Sequence, residues 1–131
     1  MEVQSAHINL ATTDPGRLYS FYKDTLGLAV AEDMGEFALS AGGVTLAFAT
    51  HSEIKGGAKE PQRYLVSFMV EDIDREHDRL IAAGVPCIRD RGLEFWGGII
   101  STYVDPDGNF VQVLQFDPSK AQMPEAVGQT A

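Results

Sequence analysis

HINLATTD, residues 7–14, and LVSFMVED, residues 65–72, follow one pattern at two places in the chain. Each has the alternation of a half-buried β-strand, and each ends in an Asp, a residue that caps helices well. The two stretches lie 58 positions apart at both their first and their last residues. A repeat with constant spacing indicates two copies of one structural unit.

A helix is predicted directly after each of these strands. Pro15 suits the first position of a helix, and Gly27 and Gly84 are typical helix stops. Apolar side chains recur at helical spacing in both segments, at Leu18, Phe21, Tyr22 and Leu26 in the first and at Ile73, His77, Leu80 and Ile81 in the second. We therefore expect helices over residues 15–26 and 73–83, with His77 on the apolar face of the second as a core-edge residue.

Three further strands are predicted after each helix, which makes the chain an α+β protein of two βαβββ modules. They are Leu28–Glu32, Phe37–Ala41 and Val44–Thr50 in the first module, and Val85–Arg89, Ile99–Val104 and Phe110–Phe116 in the second. The modules are assigned to residues 1–50 and 63–116. The polar, glycine-containing segment 51–62 is their connector. Residues 117–131 contain two prolines and no periodicity, and are expected to form a loosely ordered tail.

Composition excludes several classes of partner. A net charge of −9 and a pI of about 4.6 oppose binding to nucleic acid and attract cationic small molecules.

No stretch approaches the roughly 18 apolar residues of a membrane span. The start, MEVQSAHINL, lacks the features of a signal peptide. Cys87 is the single cysteine, so no disulfide framework exists, and we expect a cytoplasmic protein with an inert core thiol.

The repeated unit and its local motifs resemble the vicinal oxygen chelate superfamily. That superfamily includes glyoxalase I, the extradiol dioxygenases, fosfomycin-resistance enzymes and bleomycin-resistance binding proteins. The resemblance covers about residues 4–116, through HINLATTD with FYKDTLG, VEDID with AAG, and WGG followed by DPDGNFVQVLQ. It implies the glyoxalase/bleomycin-resistance fold, in which the modules curl a mixed sheet around a cleft and carry the helices outside. It leaves the reaction open, because the fold hosts lyases, dioxygenases, epimerases, transferases and non-catalytic drug binders.

With that fold, strand alternation predicts which side chains line the cleft. Aromatic side chains would offer stacking surfaces, small ones would leave room, and polar ones would orient a ligand by hydrogen bonds. No catalytic residue is assigned. The predicted ligand-binding residues are His7, Asn9, Phe37, Ala47, Leu65, Ser67, Trp96, Tyr103, Gln112 and Leu114.

The resemblance also implies four positions at which metal-dependent relatives place their ligands. In this chain those positions are His7, Ala47, Leu65 and Gln112. Alanine and leucine cannot coordinate a metal, and an amide oxygen is a weak ligand for a transition metal. Catalytic sites need about three good protein ligands, so we expect no metal and no other cofactor.

Two functions remain open. The first is a non-catalytic protein that binds a bulky, partly aromatic small molecule, with Gln112 as an orienting amide. The alternative is a glyoxalase- or dioxygenase-type enzyme with an atypical metal site around His7 and Gln112, completed by His51 or Glu53. In either case we expect a homodimer, because members of this superfamily commonly pair βαβββ modules within or between chains.

Overall fold

The structure is a computed structural model that describes residues 1–122. These residues contain eight strands in two sheets, with a helix after the first strand of each sheet. The strands are β1 His7–Ala11, β2 Ala29–Val30, β3 Ala38–Ala41, β4 Val44–Ala49, β5 Val66–Met69, β6 Cys87–Leu93, β7 Gly98–Val104 and β8 Phe110–Phe116. The predicted βαβββ order is therefore confirmed in both halves.

Both predicted helices begin at capped positions. α1 spans Pro15–Ser20 and continues as a π-helical segment over Phe21–Thr25, while α2 spans Ile73–Ala82. The carboxylates of Asp14 and Asp72 each accept a hydrogen bond from a backbone N–H three residues later, at 3.1 and 3.0 Å. The predicted stops, Gly27 and Gly84, have φ of 85° and 81°, which glycine adopts without strain.

The two sheets have one topology. In the first sheet the order is β1-β4-β3-β2, and in the second it is β5-β8-β7-β6. The first strand of each module runs parallel to the last strand, and the remaining neighbours are antiparallel. The fold class is thus the predicted one, two mixed four-stranded sheets with few helices.

The chain divides into two compact units near residue 59. The first comprises Met1–Lys59 with Pro106–Gly108, and the second comprises residues 60–105 with 109–122 of the described chain. In the first unit, α1 and its π-helical extension bury Leu18 and Tyr22. The ring of Tyr22 lies 5.1 Å from that of Phe48 on β4. Burial of such aromatic and aliphatic side chains is the main stabilising term for the unit.

The core of the second unit lies between α2 and one face of its sheet. Ile73, His77 and Leu80 are the buried residues of the helix. Opposite them, Val111 and Val113 are buried on β8, and Gln115 Oε1 accepts a hydrogen bond from the Ile73 backbone at 2.9 Å. The odd-numbered residues of β8 therefore face α2, and the even-numbered residues face away from it.

Several predicted strand ends differ from the structure, and two differences change the description of the fold. β6 was expected to end at Arg89 but extends to Leu93, with register irregularities on either side of Arg89. The start of the predicted loose tail is a capped turn: Pro118–Lys120 form a 3₁₀ turn after Asp117, whose backbone N–H donates to Gly97 O at 2.8 Å. The rest of that tail, residues 123–131, lies outside the described residues. No helix within residues 1–122 is long and apolar enough to cross a bilayer.

Candidate ligand-binding site

A row of three polar side chains crosses the second sheet on the face away from α2. Ser67 on β5 lies beside Gln112 on β8, and Gln112 lies beside Thr102 on β7. Ser67 Oγ donates to Gln112 Oε1 at 2.9 Å, and Gln112 Nε2 donates to Thr102 Oγ1 at 3.4 Å. The side chain of Gln112 is thereby held at both ends, which fixes which way its amide points.

Gln112 is buried deeply for a polar residue, with 1% of its surface exposed. Burying an amide without hydrogen-bond partners costs the free energy of its hydration. The two hydrogen bonds of Gln112 offset that cost. The flanking residues Val111 and Val113 fill the α2 face of the same strand. This confirms that Gln112 is not a solvated surface residue.

A cavity of about 200 Å³ opens beside this row. All the residues that line it belong to the second unit. Its lining combines aliphatic and aromatic side chains with a few hydrogen-bonding groups, among them the amide of Gln112. Ligand sites commonly have this composition. The lining residues are Gln62, Leu65, Ile88, Arg89, Thr102, Phe110 and Gln112.

Arg89 is the charged residue of this lining. Its Nη2 lies 2.9 Å from Glu94 Oε1, in an ion pair whose side chains are 26% and 8% exposed. The guanidinium passes close above Gly92, where a Cβ would meet Nη2 at 2.6 Å. Arg89 Nη1 is buried, and no acceptor within residues 1–122 bonds to it.

Trp96 lies at the far end of the same face. Its indole lies directly over Gly98, which it can approach closely because glycine has no side chain. The indole also stacks on Phe116, with the ring centroids 6.1 Å apart. The indole Nε1 is buried and has no acceptor in the described part of the chain. Trp96 does not line the cavity beside Gln112, and its role as a ligand-binding residue stays a prediction.

The structure corrects the face predicted for Tyr103. The register pairs Tyr103 with Val111, so its side chain faces α2 and not the cavity. It is fully buried, and its hydroxyl lies 2.7 Å from His77 Nδ1. Burial raises the pKa of this phenol above its ordinary value of 10.0. Tyr103 is therefore a core residue, and Thr102 is the residue of β7 that lines the cavity.

His77 also approaches a carboxylate from β6. Its Nε2 lies 3.5 Å from Asp90 Oδ1. Hydrogen bonds from Arg91 lower the pKa of Asp90, and burial raises the pKa of the neighbouring Cys87 thiol. These groups stand on the α2 side of the sheet and do not line the cavity. Cys87 is half-buried, at the start of β6.

Of the predicted site residues in the first unit, three lie on the sheet face away from α1 and one packs on the helix side. His7, Asn9 and Ala47 lie on the sheet face away from α1, where the register joins Asn9 to Ala47. Phe37 was expected to stack on a ligand, but its ring lies 5.4 Å from that of Tyr19 on α1. It therefore packs on the helix side of the unit, which corrects that prediction.

The remaining predicted residues lie on the face of the second sheet away from α2. Leu65 lines the cavity, and Ser67 bonds to the central amide. Leu114 follows Gln112 on the same face of β8 and pairs with Ile100 and Met69. The second unit thus brings together Leu65, Ser67, Trp96, Gln112 and Leu114 on one face.

The four positions that hold metals in related enzymes do not fit a metal here. Ala47 and Leu65 have no donor atoms, and the one ligating atom of Gln112, Oε1, accepts the hydrogen bond from Ser67. His7 is exposed, with its Nε2 3.3 Å from Ser5 Oγ. Within residues 1–122 no three His, Cys, Asp or Glu side chains are grouped closely enough to hold an ion, so neither His51 nor Glu53 completes such a set.

Arg89, Thr102 and Phe110 line the cavity but were not predicted from the sequence. Arg89 was placed at the end of a strand that continues past it, and its face depends on irregular pairing. Thr102 lies in a strand buried on both sides, whose sequence IISTYV has no alternation to assign faces. Phe110 could have been found, because it has the same parity as Gln112 on one regular strand.

Comparison with known proteins agrees with this architecture. Residues 4–113 match the family model described as the Glyoxalase/Bleomycin resistance protein/Dioxygenase superfamily. The chain is 32% identical over 121 residues to the uncharacterized protein YraH of Bacillus subtilis (strain 168), covering 82% of this chain and 94% of that protein.

Solved structures resemble it at lower identity. TnmS3, an antibiotic binding protein from Streptomyces sp. CB03234, superposes with a TM-score of 0.72 at 18% identity, covering 88% of this chain and 98% of that one. Virulence protein STM3117 from Salmonella typhimurium gives a TM-score of 0.69 at 20% identity, covering 89% and 99%. At these identities the two structures support the fold alone.

Proposed function

Because the chain belongs to the glyoxalase/bleomycin resistance protein/dioxygenase superfamily, we propose that it binds a bulky, partly aromatic small molecule without a metal. The proposed site is the sheet face of the second unit that carries Gln112. The observation behind this proposal is the buried hydrogen bond from Ser67 to Gln112 Oε1. It engages the amide oxygen at a position where metal-dependent relatives place a ligand.

The lining supports an organic ligand. Leu65 and Phe110 offer apolar surface beside the cavity, and Thr102 and Gln112 offer hydrogen-bonding groups. Sites of this composition gain affinity from apolar burial and orientation from a few polar contacts. The indole of Trp96, stacked on Phe116 at the end of the same face, extends the aromatic surface on which a larger ligand would rest.

The likeness in fold to TnmS3, an antibiotic binding protein, makes antibiotics the first ligands to test. The stacked rings of Trp96 and Phe116 favour antibiotics that carry aromatic rings. Trp96 is the only tryptophan in the chain, so tryptophan fluorescence reports on this face alone. Titration with a panel of aromatic antibiotics should quench or shift that emission at one molecule per chain. Absence of binding across the panel, together with no response to smaller aromatic compounds, would contradict the proposal.

The alternative is a metal-dependent enzyme of the same superfamily, with His7 as one ligand. It is kept because His7 is exposed, with its Nε2 3.3 Å from Ser5 Oγ, and could turn toward an ion. Elemental analysis of the purified protein separates the two functions. Stoichiometric zinc, iron, nickel or manganese, with turnover abolished by a chelator, would favour the enzyme; substoichiometric metal with antibiotic binding would favour the binding protein.

A further inference from the structure

The sheet face that carries Gln112 continues past the polar row of Ser67, Gln112 and Thr102 as an apolar shelf. The shelf begins two residues further along each of the same three strands, β5, β8 and β7. These three strands contain no charged residue. The shelf consists of Met69, Leu114, Ile100, Phe116 and the indole of Trp96, which stacks on Phe116.

The shelf leaves large apolar side chains in contact with solvent. Met69 is 68% exposed and Phe116 is 47% exposed. A single exposed apolar residue is ordinary, but neighbouring ones on one face mark a surface that contacts another molecule. Methionine suits such a surface, because its flexible side chain adapts to the shape that it meets. The shelf is therefore a candidate binding surface.

Continuity with the cavity indicates what covers the shelf. An apolar cavity of about 150 Å³ holds one benzene molecule. The cavity here is about 200 Å³, so a bulky ligand must extend beyond it. On β5, Leu65 lines the cavity, Ser67 belongs to the polar row and Met69 belongs to the shelf. These three residues point to one side of the sheet at intervals of about 7 Å.

We propose that the ligand is an elongated molecule with a hydrogen-bonding group in its middle and an uncharged apolar group at each end. One end occupies the cavity, the middle meets Ser67, and the other end rests on Met69 and the remainder of the shelf. This inference rests on the proposed binding function. It adds the order of chemical groups along the ligand and assigns Met69 as a binding residue.

Ser67 determines the chemistry of the middle group. Ser67 is exposed, and its hydroxyl donates to Gln112 Oε1 at 2.9 Å. A hydroxyl that donates its hydrogen still has lone pairs with which to accept another. The middle of the ligand is therefore a hydrogen-bond donor, such as an amide N–H. An apolar group at this point would displace water from the Ser67 hydroxyl without replacing its hydrogen bond.

Two isomers test the order of groups: benzanilide and biphenyl-4-carboxamide. They have the same molecular formula, with two benzene rings and one amide. The amide joins the rings in benzanilide and lies at one end of the molecule in its isomer. Dissociation constants are measured by NMR titration of the full chain. We expect benzanilide to bind on the order of tenfold more tightly, because its isomer must place a ring over Ser67 or its amide on apolar surface.

Met69→Gln is the discriminating variant. Glutamine has nearly the length of methionine but a polar end, so benzanilide should bind about fivefold more weakly. Benzamide, which has one ring and fits within the cavity, should bind as it does to wild type. Ile81→Gln is the matched control, because Ile81 is 46% exposed on α2, at the other side of the sheet. It should change the affinity for neither compound.

The methyl group of Met69 gives a second readout that needs no variant. In wild-type chain labelled at its methionine methyl groups, benzanilide should shift the assigned Met69 signal, and benzamide should not. Met34 is the internal control, because it is 42% exposed in the first unit and outside the shelf. Its signal should stay in place with both compounds.

The outcomes separate this inference from the function on which it rests. Tighter binding of benzanilide than of its isomer, weakened in Met69→Gln and kept in Ile81→Gln, supports it. Equal binding of the isomers, or a Met69 signal that benzanilide does not shift, overturns it and leaves small-molecule binding intact. A lower mass of Met69→Gln in light scattering with unchanged benzanilide affinity assigns the shelf to a second chain and also overturns it. Binding of none of the probes and none of the antibiotics overturns both.

Discussion

Ser67 and Gln112 are joined by a 2.9 Å hydrogen bond between the first and last strands of the second sheet. The equivalent register pair of the first sheet is Asn9 and Ala47, which has no second polar group. The two modules have one topology, but only the second has a buried amide at this point. The site is therefore asymmetric in chemistry although the fold is repeated.

Removing the Ser67 hydroxyl should destabilise the second unit. Ser67→Ala leaves the buried Gln112 Oε1 without its donor, and we expect the free energy of unfolding to fall by about 1 kcal/mol. Urea denaturation measures this change. Ser52→Ala, in the exposed connector, is the control and should leave stability unchanged within error. Equal stability of wild type and Ser67→Ala would show that the hydrogen bond contributes nothing.

Trp96 should contribute to ligand affinity through aromatic burial. We expect Trp96→Ala to weaken binding of an aromatic antibiotic by about 1–3 kcal/mol. Calorimetry is the measurement, because the variant has no tryptophan to report by fluorescence. Tyr64→Ala removes an aromatic ring that is 86% exposed in the same unit, and should leave affinity unaltered. A loss equal in both variants would argue against a specific role for Trp96.

The position of the Trp96 indole depends on Gly98. A Cβ at residue 98 would overlap the six-membered ring of the indole, so Gly98→Ala must move it away from Phe116. We expect a red-shifted tryptophan emission and weaker antibiotic binding. Gly43→Ala, where a Cβ would meet no atom within 4 Å, should change neither. An unshifted spectrum in Gly98→Ala would contradict the close approach.

Tyr103 should make the protein sensitive to alkali. Its pKa is raised in the folded state by burial, so the phenol contributes stability that is fully present below pH 10.0 and is lost as pH rises through the folded pKa. Tyr103→Phe cannot ionise, and its unfolding free energy should fall less than that of wild type above pH 10.0. At neutral pH it should be about 1 kcal/mol less stable, through the lost contact with His77.

Denaturation of both proteins across this pH range is the test. The Cys87 thiol is common to both and cancels in the difference. Tyr64→Phe is the control, since Tyr64 is 86% exposed, and it should follow wild type at every pH. Parallel curves for wild type and Tyr103→Phe would show that the phenol does not lose its proton on unfolding in this range.

We expect the protein to be a homodimer in solution. β6 is an edge strand of its sheet, and its side chains Ile88 and Leu93 are each 53% exposed. A second chain would cover apolar surface of this kind, as it does in other symmetric oligomers. Light scattering at micromolar concentration should give twice the chain mass of 14.2 kDa. A monomeric mass would refute the expectation.

The sequence by itself determined the repeated architecture. This architecture is encoded by local signals, each of which acts through backbone geometry or through a single period of alternation. They are the capping residues Asp14 and Asp72, the helix stops Gly27 and Gly84, and the regular strand from Phe110 to Phe116. The placement of Gln112 on the sheet face opposite Val111 and Val113 was predicted on the same basis. These features required no knowledge of distant contacts.

Tertiary structure alone decided the faces of Phe37, Arg89 and Tyr103. Tyr103 lies in a strand buried on both sides, so its sequence has no alternation, and only pairing with β8 assigns it to α2. Arg89 lies between register irregularities that no local pattern encodes, and its charge is tolerated because Glu94 reaches it. Side-chain direction in such strands is set by hydrogen-bond register and packing between distant segments, and the residues that give this cavity its chemistry are the ones that depend on them.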